Sequence, residues 1–380
     1  MKILFVSSSP LEYSSSANMR NIALLNGLIE NGHEITTLTP RPQEDSKFFD
    51  NSLNNIQIKE KKYIELGALR SKMTIKKNKK NLLRKYVYNI LSKFKIYDFR
   101  SDLANRKIII DNKFDLIISS SDPKSSHLIA ESLLKNNKNI AKRWIQYWGD
   151  PFASDINKKS WMPKSIIRKE EERLISLADK VVYVSPFTCE SQKRLYKKYD
   201  DKICFIPIPY EKEIYYKKTN NKKTILGYFG DYKKSDRNIL PLYDTICEID
   251  NICDLNICGN SDLELLQKEN IKIFERQNLD NIRKLESKTD ILICICNKRG
   301  TQIPGKVYHY AATNKPILLI LDGDNKKELR EYFSKFNRYI MCDNNKIDIE
   351  KTLKDIIDNP KEYFPCEQLK PKSIAKKFVE

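Results

Sequence analysis

Glycine is scarce in this chain, with ten in 380 residues. The loop after the first apolar segment reads "SSSPLEYSSSANMR", and no GxGxxG follows that segment. This argues against a dinucleotide oxidoreductase. Histidine is scarcer still, at three residues. No Ser-His-Asp ordering, Cys-His pair, HExxH or GxxxxGK[ST] occurs, so the familiar nucleophilic, zinc-protease and P-loop chemistries lack their residues. No apolar run approaches the roughly 20 residues of a membrane span. The opening "MKILFVSSSP" is apolar too briefly for a signal peptide and reads as a first strand. The nine cysteines are odd in number and lack metal-ligand spacing, which argues against a disulfide frame or a zinc site. Most lie in apolar segments such as "DILICICN" and read as small core residues of a reducing cytoplasm.

What is present is length, charge and alternation. A chain of this length suggests two domains of roughly 150 to 200 residues, each able to bury its own core. The 40% hydrophobic and 31% charged residues fit a folded protein. The net charge of +19 is uneven. Residues 1 to 210 hold 38 Lys and Arg against 23 Asp and Glu, while the remainder is nearly balanced at 31 against 27. Residues 66 to 97 alone hold ten basic side chains and no acid. Leu82, Leu83, Tyr86, Val87, Ile90, Leu91 and Phe94 recur there at helical spacing. A basic amphipathic segment suits an anionic membrane surface. The alternative is a solvated helix packed on its own domain. No nucleic-acid motif accompanies the charge, so no nucleic-acid partner is expected.

Apolar strand-like runs alternate with amphipathic helical ones along the whole chain. "KILFVSS", "SANMRNIALLNGLIENG" and "HEITTLT" make a first βαβ unit, which predicts a parallel sheet. "FDLIISS", "RWIQYWG", "KVVYVS" and "KICFIPIP" continue it after the basic insertion. A polar stretch at residues 209 to 222 reads as a linker. "TILGYFG", "DLNICG", "IKIFE", "DILICIC", "KPILLIL" and "YIMCD" then repeat the pattern. The expected architecture is two Rossmann-like parallel-sheet α/β domains facing across a cleft, with ligands beyond the carboxyl ends of the strands.

Several residues fall at those strand ends. In "GTQIPGKVYHYAATNKPILLILDGD" a loop leads from a strand to a helix that begins near Pro304. Gly305 permits close backbone approach, Lys306 adds a charge, and His309 lies one turn further on the same face. Such a helix start favours a phosphate. "YFGDYKKSDRN" places Lys233, Lys234 and Arg237 in the first loop of the second half, where an arginine fork suits a diphosphate. In the first half, Asn18 and Arg20 follow the first strand and have the chemistry to meet phosphate or sugar oxygens. Asp122 and His127 follow another strand, and Asp150 ends a third, where it suits sugar hydroxyls. Each has a plain alternative as a loop cap, a core histidine or a solvated charge.

Taken together these stretches resemble the glycosyltransferases of the GT-B architecture, in particular the retaining nucleotide-sugar-dependent family 4. "QIPGKVYHYAATNKPIL" is similar to that family's "PGKxxEYxAxGKPIL", and "RWIQYWGDPF" to its "DFRDPW". The opening, "SSSDPKSSHLIA", "ADKVVYVS", "YFGDYKKSDRN" and "ICGNS" extend the likeness over most of the chain. The resemblance implies an acceptor-binding domain at residues 1 to 208 with a basic insertion at about 66 to 97. It implies a nucleotide-sugar-binding domain at 209 to 365 and a C-terminal helix at 366 to 380 that packs back across the junction. The nucleoside diphosphate sugar is the donor, and neither a metal nor another cofactor is required. Arg237, Gly305 and Lys306 match the diphosphate-holding positions, preceded by Pro304.

The family's two motif glutamates fall on Thr301 and His309. Gly149 stands where the family pattern has arginine. The implied acceptor is a cell-surface glycan or lipid-linked saccharide, as in polysaccharide biosynthesis. Catalytic work would fall to Asp150, His127, Lys306 and Arg237, in a cytoplasmic protein that sits peripherally at the membrane. The alternatives are a non-catalytic membrane- or partner-binding protein and a sugar-nucleotide epimerase.

Overall fold

A computed structural model describes residues 1–46, 48–54, 56–65, 94–106, 108, 110–137, 139–156 and 160–380. The basic amphipathic stretch inferred at 66–97 therefore lies almost wholly outside the described residues. By its contacts the chain divides into two compact units, residues 1–207 with 374–380, and residues 208–373.

The first unit is a seven-stranded sheet in the order β3-β2-β1-β4-β5-β6-β7. Its strands are β1 (Lys2–Val6), β2 (Glu34–Pro40), β3 (Glu60–Ile64), β4 (Phe114–Ser120), β5 (Ala141–Trp148), β6 (Lys180–Tyr183) and β7 (Ile203–Phe205). Every pairing is parallel, as the βαβ alternation requires. Helices α1 (Ser16–Glu30), α2 (Ser125–Asn136), α3 (Lys164–Leu177) and α4 (Pro186–Leu195) are the crossovers. The apolar run Ile3 to Val6 is buried throughout, as is usual for a central parallel strand covered on both faces. β3, with the sequence EKKYI, carries three charges and only one fully buried residue, so sequence reasoning passed over it. An edge strand tolerates that composition because one side stays wet.

The second unit is a six-stranded parallel sheet in the order β10-β9-β8-β11-β12-β13. Its strands are β8 (Thr224–Phe229), β9 (Cys253–Cys258), β10 (Ile271–Phe274), β11 (Ile291–Ile295), β12 (Ile317–Leu321) and β13 (Ile340–Asp343). The helices are α5 (Leu240–Glu248), α6 (Leu279–Lys288), α7 (Gly305–Tyr310), α8 (Lys326–Ser334) and α9 (Lys346–Asp358). The core is aliphatic, built around Leu255, Ile257, Ile293, Leu318 and Ile320. Seven of the nine cysteines are buried and all nine are free thiols.

Residues 209 to 222 are not a loose linker. Ile214 donates its N–H to Ala312 O at 2.9 Å, and the Asn314 side chain bonds both the N–H and the carbonyl of Tyr216. The polar composition reflects a strap pinned on the second unit by side-chain amides instead of an apolar face. The last helix, α10 (Pro371–Val379), begins in the second unit and its last residues belong to the first. Phe378 is fully buried there, 4.8 Å from the ring of Tyr147.

In each sheet the strand order reverses beside the first strand, between β1 and β4 and between β8 and β11. Loops on the two sides of such a reversal diverge to opposite faces and leave a crevice at the carboxyl edge. Among the described residues no helix is long and apolar enough to cross a membrane.

Candidate functional site

In the second unit the β8–β11 reversal is bridged by one side-chain bond. Arg237, in the loop after β8, donates from Nε to Asn297 Oδ1, after β11, at 2.9 Å. Its Nη1 donates to the carbonyl of Asp231 at 3.1 Å, and the Tyr228 hydroxyl donates to the same carbonyl at 3.1 Å. Asn297 turns its amide to Gln302 O at 3.0 Å, so the loops after β8 and β11 are tied to one frame. The guanidinium is half-buried and has no carboxylate partner among the described residues. Lys233 and Lys234 are exposed at the rim.

The loop backbone is packed tightly at this edge. A Cβ on Gly259, after β9, would lie 2.1 Å from the carbonyl oxygen of Gly230, after β8. Only glycine lets the two strand ends come that close.

Pro304 is the N-cap of α7, and Gly305 is its first residue. Proline and glycine here set where the helix starts after the loop. Thr301, Pro304, Gly305, Lys306 and His309 are all half-buried. Lys306 Nζ lies 3.5 Å from Glu286 Oε1, on α6, and 5.4 Å from the centre of the Tyr310 ring. Glu286 is buried and also accepts from the Tyr216 hydroxyl at 2.8 Å. Sequence reasoning missed both Glu286 and Asn297. Glu286 sits in an ordinary charged helix, and nothing local marks it. Asn297 does end a strand at the order reversal, a signal visible only once strand order is known.

Burial, then the positive charges of Lys306 and Arg283, push the His309 imidazole down to about 4. Arg283 itself pairs with Glu211 at 3.3 Å. A neutral imidazole at that place can donate or accept a hydrogen bond without adding charge.

In the first unit, Asp122, Asp150 and Asp155 gather after β4 and β5, with one oxygen of each within 4.8 Å of the others. Lys124 is the buried cation among them. It bonds Asp122, lies 3.5 Å from Asp155, and is also drawn electrostatically to Asp150. These carboxylates raise its pKa above the usual lysine value although burial opposes them. The loop carrying Asp150 and Asp155 is anchored from below by Glu171. That carboxylate accepts from the N–H groups of Phe152 at 2.7 Å and Ala153 at 3.1 Å, and from the Tyr196 hydroxyl at 2.9 Å.

His127 is fully buried at the ends of β4 and β5. Its Nδ1 lies 2.7 Å from Ser119 Oγ, which also accepts from Trp144 Nε1 at 2.8 Å. Its ring lies 4.3 Å from that of Trp148. Burial, helped by Lys124 and Arg20, holds its pKa well below the ordinary value. Asn18 shapes the loop after β1, donating from Nδ2 to Pro10 O and Tyr13 O at 2.7 Å each.

No protein-family model matches the chain, and no curated protein matches its sequence. Solved structures do match along its whole length. The lipopolysaccharide outer core galactosyltransferase WaaB in its apo form superposes with a TM-score of 0.54 at 14% identity, covering 100% of this chain and 98% of that one. The catalytic domain of Starch Synthase IV from Arabidopsis thaliana, bound to ADP and acarbose, gives 0.57 at 9% identity, covering 99% and 94%. A UDP-N-acetylglucosamine 2-epimerase gives 0.51 at 12% identity, covering 100% and 95%. The fold is GT-B. At these identities the likeness is one of fold, and function has to be argued from the residues.

Proposed function

We propose that this GT-B protein is a glycosyltransferase that moves a sugar from a nucleoside diphosphate sugar to a hydroxyl of a glycan or lipid-linked saccharide, with retention at the anomeric carbon. The observation that carries the reading is Arg237. It is a half-buried arginine without a carboxylate partner among the described residues, fixed by Asn297 at the strand-order reversal of the second unit. A diphosphate is the ligand that such a fork accepts in two places at once.

The second unit is then the donor-binding domain and the first the acceptor-binding domain. Arg237 and Lys306 neutralise the charge that gathers on the leaving diphosphate as the glycosidic bond breaks. The side-chain charges carry this term, since α7 is only six residues long. Pro304 and Gly305 bring the backbone close to the phosphates. Thr301 and His309 hydrogen-bond hydroxyls of the ribose or sugar, His309 as a neutral imidazole. Asp150 accepts from hydroxyls in the first unit, while His127 packs at the carboxyl ends of β4 and β5 against Ser119 and Trp148. The protein supplies the cations, so the reaction needs no metal. The basic stretch at 66–97 suits a peripheral approach to an anionic membrane from the cytoplasmic side.

Thermal unfolding with a panel of UDP-, GDP- and dTDP-sugars tests the reading. A donor at about 100 times its dissociation constant stabilises by roughly 2.7 kcal/mol. A midpoint that rises with one base supports the reading and fixes the donor class. A folded sample that responds to none of them refutes it. Epimer formed from the donor without acceptor would transfer the assignment to an epimerase.

A further inference from the structure

Arg20, on α1, is 5% exposed and forms no ion pair among the described residues. Among the described residues its guanidinium bonds only through Nη2, to Ser121 O and to Ser120 Oγ at 3.3 Å, and lies 4.6 Å over the ring of Tyr147. Its Nε is buried without a partner. Two neighbours share that condition. Asn21 accepts from Ser120 Oγ at 2.6 Å, but its Nδ2 is an orphan, and so is the Tyr147 hydroxyl. Both residues are fully buried.

Three unused donors and one positive charge without a carboxylate partner among the described residues thus sit around Ser120. The place is the carboxyl edge of β4 and β5, beside the β1–β4 reversal where open sheets take their ligands. The residue after β5 makes room for the charge, since a Cβ on Gly149 would lie 2.0 Å from Arg20 Nη1. The neighbouring serines offer no negative charge. Ser8 bonds Ser125 and Ser126, and the Ser9 N–H bonds Ser7 Oγ. A buried guanidinium without a counter-charge, next to unpaired donors, is costly unless an anion completes the site.

We infer that Arg20 is the anchor of an oxyanion site in the first unit, which takes a phosphate or carboxylate group through the guanidinium with Asn21 and Tyr147 as further donors. If the chain is the glycosyltransferase proposed above, the acceptor is a saccharide that carries such a group.

The test uses the full chain with Arg237→Ala, which removes the diphosphate site of the second unit as a competitor. Thermal unfolding is followed with inorganic phosphate and, separately, with glucuronate, against sodium chloride of equal ionic strength. At least one anion raises the midpoint, and adding Arg20→Gln abolishes the rise. Arg20→Lys keeps the charge but loses the fork, and it weakens the anion at least several-fold. A response to phosphate assigns a phosphorylated or lipid-phosphate ligand, and a response to glucuronate an acidic sugar. No rise with either anion, or a rise that survives Arg20→Gln, overturns the inference. An Arg20→Gln chain that does not fold also overturns it, by showing the arginine to be structural. Nucleotide-sugar binding is measured in the Arg20→Gln single variant. Its persistence there keeps the donor reading standing whatever the anions do.

Discussion

Arg237 and Asn297 meet at 2.9 Å across the reversal of strand order in the second unit. They come from loops 60 residues apart in sequence, and each fixes the other. Arg237→Ala should cost on the order of 2 to 4 kcal/mol of transition-state stabilisation, read as kcat/KM for transfer. Asn297→Ala leaves the charge in place and frees its direction, so it should cost less and act mainly on kcat. Full activity in Arg237→Ala would remove the diphosphate site from this loop.

Lys306 is shared between two demands. It lies 3.5 Å from the buried Glu286, which also holds the Tyr216 hydroxyl. On the proposed donor-site reading, a diphosphate would compete with that carboxylate for the ammonium. Glu286→Gln keeps the shape and removes the charge. It should tighten nucleotide-sugar binding while lowering stability by about 1 to 2 kcal/mol through weaker bonds to Tyr216 and Lys306. Lys306→Ala should act oppositely, with a loss of donor binding and of rate. Titration calorimetry on the two variants reads the sign directly. Weaker binding in Glu286→Gln would mean that the carboxylate positions Lys306 instead of competing for it.

The alternation of apolar strands and amphipathic helices made the two parallel sheets legible, because a strand buried on both faces reads as a continuous apolar run. β3 escaped because an edge strand needs no such run, and EKKYI has none. The strap at 209 to 222 escaped because it is held by Asn314, and a side-chain amide leaves no periodicity. At the sites, Arg237 and Lys306 were legible as cations near strand ends. Their partners Asn297 and Glu286 were not, since pairing across 60 and 20 residues depends on the order of strands in the sheet. Arg20 was visible as a residue after the first strand. That it is buried, without an ion pair among the described residues, and housed by Gly149 is a fact of packing alone.

His309 makes the pH dependence of stability testable. Its folded-state pKa lies at about 4, below its ordinary value of 6.5. Between those values the unfolded chain binds more protons than the folded one, so stability falls as the pH falls through this window. Above about pH 6.5 the contribution is fully present. The neutral ring is worth up to about 3 kcal/mol over the whole window. His309→Gln should flatten the curve by that share. His33 and His127 are shifted the same way and keep the remaining slope. Urea unfolding at pH 7 and pH 5 in both proteins gives the comparison. Equal slopes would mean that His309 is solvated in the folded protein.

Gly259 tests whether the loop backbone sets the position of Arg237. A methyl group there would sit 2.1 Å from Gly230 O and 3.0 Å from Asp231 N, both backbone atoms that have no rotamer to escape into. The loop after β8 must move, and with it the Asp231 carbonyl that receives Arg237 Nη1. Gly259→Ala should therefore destabilise the protein by roughly 1 to 3 kcal/mol, as overpacking does. It should also weaken nucleotide-sugar binding, although residue 259 carries no ligand chemistry. The same alanine at Gly230 meets nothing closer than 3.8 Å and should leave binding nearly intact. If Gly259→Ala lost stability but bound donor as well as the native protein, the loop would be shown to adjust without moving Arg237. The arginine would then owe its place to Asn297 alone.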